Sequence, residues 1–240
     1  MYRSLDSGKI IETARLLACR ISERFPGSSL SKVADELQAE ARTAAETALW
    51  LARPLKWVRS VAALAIFLIV GIAGAALLIL NQRVQLFSNV SDFLQGLDAA
   101  VNELILLAVA IFFLAGLEGR LKRRRALKAI HVLRSMSHII DMHQLTKDPD
   151  RLSGAGHDTP SSPQRRMTPF ELTRYLDYCS EMLAVISKIA ALYVQDFNDP
   201  VTLAAVDEVQ DLTGGLSQKI WQKIMILDRV VSSQPGTLEL

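Results

Sequence analysis

Four polar side chains between residues 131 and 141 have types and spacing that could support chemistry. At 100° per residue, His131 and His138 lie about 20° apart around a helix, and Arg134 and Asp141 fall within about 80° of them. A histidine and a carboxylate at i, i+3 can share a metal ion or form a proton-transfer site. Three interpretations stay open, namely a structural polar stripe, a pH-responsive switch and a metal site. We favour the structural one, in which the stripe faces another helix of the same bundle.

No sequence pattern specifies a catalytic centre, a metal or a cofactor. The HEXXH, P-loop and GxSxG patterns are absent, as is a GxGxxG motif linked to a strand. The two cysteines, Cys19 and Cys179, lie far apart and cannot make a disulfide scaffold. We expect both to be reduced thiols that pack between helices, and we predict no bound cofactor.

The chain is organised around Val61–Leu80, twenty residues without a charge or a proline. At about 1.5 Å per residue, a helix of this length crosses the ~30 Å hydrocarbon core of a bilayer. Close helix packing is one interpretation of the small residues Gly71, Gly74 and Ala75, and ordinary membrane-helix glycine is the other. This stretch predicts a first membrane span over about residues 58–80.

A second span is predicted over about residues 99–118. Its charge-free part, Leu104–Leu117, is fourteen residues long and too short to cross the core alone. Including the residues before it places Glu103 about one turn inside the membrane edge, where a carboxylate either reaches water or pairs with Arg83. The connector, residues 82–98, has the spacing of an amphipathic helix, lying on the far membrane surface or extending the first span.

Basic residues flank the two predicted spans on one side. Six of the nine residues from Arg120 to Lys128 are basic, whereas the connector holds only Arg83. The positive-inside rule therefore places both termini in the cytoplasm and the connector outside, in a multi-pass protein of the inner (plasma) membrane. The net charge is only +2, and the basic residues are already explained by their position beside a membrane span. A nucleic-acid partner is therefore not expected.

Amphipathic helical spacing marks most of the remaining chain. Residues 7–25 and 29–51 form a helical hairpin around Pro26-Gly27, and two long helices begin at Thr168-Pro169 and Asp199-Pro200. Trp221 lies beside the apolar stripe of the last helix as a core or interface anchor. We predict these domains: 1–52, N-terminal cytoplasmic helical hairpin; 53–119, transmembrane hairpin; 120–231, C-terminal cytoplasmic helical region with a flexible loop over 149–167; 232–240, disordered tail.

The expected fold is all-α, with a two-span transmembrane hairpin and a cytoplasmic bundle built from the N- and C-terminal segments. Half of the 240 residues are hydrophobic, which suits a bilayer-bound protein that also buries a helical core. Our leading hypothesis is a bacterial-type, non-enzymatic membrane anchor whose bundle binds itself or a cytoplasmic protein partner, as an adaptor, scaffold or sensor. The first alternative is an oligomeric pore or membrane-permeabilising effector. The second is a membrane-bound metal-dependent enzyme that uses the His131, His138 and Asp141 stripe.

Overall fold

The computed structural model describes residues 4–82, 90–147 and 167–233. Every regular element in these ranges is an α-helix, so the all-helical prediction is confirmed. The helices are α1 (Ser7–Arg24), α2 (Ser29–Ala52), α3 (Lys56–Gln82), α4 (Val90–Ala115), α5 (Leu117–Leu145), α6 (Pro169–Gln195) and α7 (Pro200–Ser233). Residue Arg83, most of the predicted loop and most of the predicted tail lie outside the described residues.

Local chemistry explains where the helices begin and turn. The Asp6 carboxylate accepts hydrogen bonds from the backbone N–H of Gly8 (2.9 Å) and Lys9 (3.2 Å), and so caps α1. Gly27, with φ of +67°, adopts the left-handed conformation that lets the chain reverse between α1 and α2. Thr168 begins α6 with a capping box that includes Glu171.

The chain divides into two compact units. The first comprises residues 1–52 and 125–240, and the second comprises residues 53–124. The boundary falls within α5, which is continuous from Leu117 to Leu145 and so belongs to both units.

The first unit is a bundle of α1, α2, α6, α7 and the second part of α5. Its core is mostly aliphatic, includes three tyrosines of α6, and is supplied by all five helices. The largest fully buried side chains include Leu17, Ile21, Leu37, Leu133, Ile140, Leu176, Met182, Leu183, Ile186 and Tyr193. Because every one of these amphipathic helices contributes a buried stripe, burial in the shared core stabilises helices that would be marginal alone.

The second unit contains α3, α4 and the start of α5. Among the described residues, two helices are long and apolar enough to cross a membrane, and they are the helices that carry the two predicted spans. α4 begins at Val90, so the second half of the predicted connector is continuous with the second span instead of forming a separate helix. α4 therefore extends well beyond the N-terminal end of its charge-free part, and the added residues give the helix the length that the charge-free part alone lacks for crossing the hydrocarbon core.

Candidate functional site

The polar stripe of α5 lies on the side of the helix that is turned away from the core. Ala126, Ile130, Leu133, Ser137 and Ile140 occupy the buried face of α5. His131 and His138 are exposed, so the expectation that they face another helix of the same chain is wrong. The physical reason is periodicity, because the aliphatic residues repeat every three or four positions and leave their outer neighbours to solvent.

The other two members of the stripe have partners that differ from those expected. The Arg134 guanidinium forms an ion pair with Glu208 of α7. Asp141 accepts a hydrogen bond of 2.6 Å from the side-chain amide of Gln144. Among the described residues, no group of three or more histidine, cysteine, aspartate or glutamate side chains is arranged to hold a metal ion. Arg134 and Asp141 therefore contact neighbouring side chains, whereas His131 and His138 are exposed on the surface of the bundle.

A polar junction between α5 and α7 was missed by sequence reasoning. The Lys223 ammonium donates to the backbone carbonyl of Gln144 (2.9 Å) and to its side-chain oxygen (2.6 Å). Gln144 is buried and lies in the last turn of α5, where carbonyl groups lack helical partners and a cation is favoured. In the sequence, Lys223 lies beside the buried stripe of α7, and this position was the feature that could have indicated a contact with another helix.

Two further groups near this junction have shifted pKa values. Burial, reinforced by the nearby Lys147 ammonium, lowers the pKa of His143, whose Nδ1 lies 3.5 Å from the Ser29 hydroxyl. Burial raises the pKa of the Cys179 thiol to about 12, so this cysteine is an inert packing group. Cys19 is exposed, which corrects the expectation that both thiols pack between helices.

Trp221 lines an open apolar groove at one end of the bundle. The groove has a volume of about 650 Å³ and lies between the start of α6 and the last third of α7. Three of its large side chains are substantially exposed: Phe170 (62%), Trp221 (59%) and Met225 (47%). Trp221 is therefore not a core residue of the chain, and the remaining interpretation is an anchor for an interface.

Three arginines surround a separate cleft of about 520 Å³ between α1 and α6. Arg20 pairs with Glu181 at 2.6 Å, and Arg174 pairs with Asp177 at 3.0 Å. Both guanidiniums also lie beside the ring of Tyr178, at 6.0 and 5.0 Å from its centroid. Carboxylates neutralise two of the three arginines. The cleft is therefore better explained as a contact between packed helices than as a site for an anion.

In the second unit, small residues line a cavity between α3 and α4. The cavity has a volume of about 690 Å³, and Glu103 contributes to its wall together with Gly74, Gly96 and Ala100. Among the three small residues proposed for helix contact, Gly74 is part of this lining. A Cβ added at Gly71 or Gly74 would meet no atom within 4 Å, so neither glycine is required by packing within the chain. The proposed partner of Glu103, Arg83, lies outside the described residues.

Glu118 joins the beginnings of α3 and α5. Its carboxylate accepts from the backbone N–H of Leu55 (3.1 Å), from Arg59 Nε (2.5 Å) and from Lys122 Nζ (3.0 Å). The Leu55 bond satisfies a backbone donor at the start of α3. Two of the basic residues between Arg120 and Lys128 therefore have structural contacts. Lys122 is 7% exposed, and the Arg125 guanidinium lies over the Trp50 ring, 4.4 Å from its centroid. Sequence reasoning treated Glu118 only as the end of the second span.

In comparisons with known proteins, no family model, no curated protein and no solved structure matches the chain.

Proposed function

We propose that this chain is a multi-pass protein of the inner (plasma) membrane that anchors a self-associating cytoplasmic helical bundle. The observation that carries the proposal is the division of the chain into two unlike units. One contains two helices with the length and apolar surface of membrane spans, and the other buries its own aliphatic core. Such a chain suits an adaptor, scaffold or sensor, with both termini in the cytoplasm and the lipid bilayer as its first partner.

Exposed apolar side chains on the bundle support the self-association part of the proposal. Phe170, Trp221 and Met225 lie together in one groove, and none of them belongs to the buried core of the bundle. Aromatic side chains contribute about 150–250 Å² each when they are buried, which makes such a groove a favourable interface. The same groove would accommodate a cytoplasmic protein partner, whose helix would compete with a second copy.

Cysteine labelling in intact cells tests the proposed topology. In a Cys19→Ser background, Ser88→Cys lies in the predicted external connector and Ser161→Cys in the predicted cytoplasmic loop. We expect an impermeant maleimide to label the first variant in intact cells and to label the second only after lysis. Labelling of Ser161→Cys alone in intact cells would overturn the orientation and the cytoplasmic location of the bundle.

A second candidate function is an oligomeric pore or membrane-permeabilising effector. The cavity beside Glu103 favours it, because a carboxylate within a span most often serves a pathway or a pairing inside the membrane. Two spans cannot enclose a pathway in one chain, so this function requires several copies. If the chain conducts ions, proteoliposomes should show flux that Glu103→Gln changes. Absence of flux from reconstituted oligomers would exclude this candidate and leave the anchoring function in place.

A further inference from the structure

The cavity between α3 and α4 combines an apolar wall with one acidic side chain. Its volume of about 690 Å³ lies within the range of about 300–1,000 Å³ that is typical of small-molecule sites. Apolar residues of both helices form most of the lining, among them Val70 of α3 and Leu104 and Leu107 of α4. Among the lining residues that the structure describes, Glu103 is the one that carries a charge. The cavity therefore offers a ligand an apolar surface and a single carboxylate.

Helical spacing places Glu103 within the face of α4 that lines the cavity. The lining residues of this helix are Gly96, Ala99, Ala100, Glu103, Leu104 and Leu107. At 100° per residue, Glu103 lies within about 40° of Gly96, Ala99 and Leu107 around the helix. Asp98, the preceding acidic residue of α4, lies about 140° away from Glu103 and is not part of the lining. The carboxylate at the cavity is therefore that of Glu103 alone.

Glu103 forms no ion pair with another described residue. The side chain is exposed, and in the proposed topology it lies about one helical turn inside the external edge of the hydrocarbon core. A charge in this region is costly unless water or an opposite charge compensates it. A ligand that brings a positive charge into the cavity would provide this compensation.

The composition of the lining favours an organic cation over an inorganic one. A divalent cation such as Ca²⁺ takes about six to eight oxygen ligands, and Glu103 is the one lining residue with an ionised side chain to offer. A compact ion would also lose much of its hydration in an apolar cavity, whereas an apolar molecular body has little hydration to lose. Beside the carboxylate, a Cβ added at Gly74 would meet no atom within 4 Å, so there is room for such a body.

We propose that this cavity binds an amphiphilic organic cation, a small molecule with an apolar body and one positive charge, such as a protonated amine. Glu103 provides the counter-charge, and the apolar residues of α3 and α4 contact the body of the ligand. The inference rests on the membrane placement of these two helices in the proposed function. It does not depend on the self-association of the bundle.

Binding of tetraphenylphosphonium to the full chain tests the site directly. This ion is a rigid apolar cation, and tetraphenylborate has nearly the same shape with the opposite charge. We expect the chain in phosphatidylcholine nanodiscs to bind tetraphenylphosphonium above the background of empty nanodiscs in equilibrium dialysis, and to bind no tetraphenylborate above its own background. Equal binding of the two ions would show that the cavity is only an apolar surface and would overturn the proposal.

Three variants connect the binding to this cavity. Glu103→Gln should lower the affinity for tetraphenylphosphonium by about tenfold or more, because the counter-charge is lost, whereas Asp98→Asn is the matched control and should leave the affinity unchanged. Gly74→Leu should also weaken binding, because the added side chain fills the cavity, while circular dichroism shows the same helical content. Unchanged affinity in Glu103→Gln would overturn the proposed role of its carboxylate.

Arg83, which lies outside the described residues, is the cation of the chain itself that would compete for Glu103. If only Arg83→Gln binds tetraphenylphosphonium and the unmodified chain does not, the arginine is the counter-charge and the proposal is overturned. Absence of binding in a chain that labels with the expected topology would overturn the site and leave the proposed function in place. Recovery of the chain in the soluble fraction of lysed cells without detergent would overturn both.

Discussion

The Lys223 ammonium donates to both the backbone and the side-chain oxygen of Gln144, at 2.9 and 2.6 Å, and thereby ties α7 to the last turn of α5. We expect Lys223→Met to lower the free energy of unfolding by about 1.5–3 kcal/mol, because hydrogen bonds to a charged group are lost. Lys219→Met is the matched control, since Lys219 is exposed on the same helix. Thermal unfolding in detergent measures both variants, and equal midpoints would contradict this role for Lys223.

Tyr193 places its phenol ring in the core of the bundle. Its hydroxyl is the buried polar side-chain atom that no described residue satisfies. An unsatisfied buried group costs about 1–3 kcal/mol, so we expect Tyr193→Phe to leave stability unchanged or to raise it. Tyr193→Leu should instead destabilise, because it leaves a cavity where the ring was. A lower unfolding midpoint for Tyr193→Phe than for the unmodified chain would show that the hydroxyl has a partner.

His143 makes stability depend on pH. Burial and Lys147 lower its pKa in the folded state, so the unfolded chain binds the proton more readily. Stability contributed by this group is therefore present above its unfolded pKa of about 6.5, and it is lost as the pH falls from that value through the lower pKa of the folded state. We expect the unfolding midpoint to decrease between about pH 7.5 and pH 5.5, with a smaller decrease in His143→Gln. Identical pH profiles would contradict the assignment to His143.

His138 should tolerate substitution in the folding of a single chain. The side chain is exposed, and surface substitutions of this kind change stability by no more than about 0.5 kcal/mol. We therefore expect His138→Gln and His138→Leu to unfold with the same midpoint, whereas a buried partner would make the leucine variant less stable. Measurement at a monomeric detergent concentration separates folding from association. A destabilised leucine variant would restore the original structural hypothesis for the stripe.

Helix type and helix boundaries were predictable because they depend on local chemistry. Proline at the first helical position and capping side chains determine where α6 and α7 begin, and aliphatic periodicity marks the buried faces. α7 is continuous across Gly214 and Gly215, and its apolar stripe keeps its phase across the two glycines. Local sequence was thus sufficient for most helices and for the buried faces of the bundle, but not for the start of α4 at Val90.

The candidate sites were less predictable, because they depend on which helices become neighbours. Lys223 and Gln144 are 79 residues apart, and nothing in their local sequence links the two. The same is true of Glu118 and Leu55, which are 63 residues apart. His131 and His138 shared a face, as predicted, and that face is exposed because the aliphatic residues of α5 occupy the buried face. Pairing between helices is a property of the tertiary fold.

The mass of the purified full chain in detergent tests the central claim, self-association of a membrane-anchored bundle, most directly. Light scattering at micromolar concentration should give more than one chain per particle, and Trp221→Ala should shift the population towards one chain while the helical content stays the same. Trp221 is 59% exposed, so its truncation should not unfold the bundle. A monomeric particle with full helical content in the unmodified protein would contradict the claim.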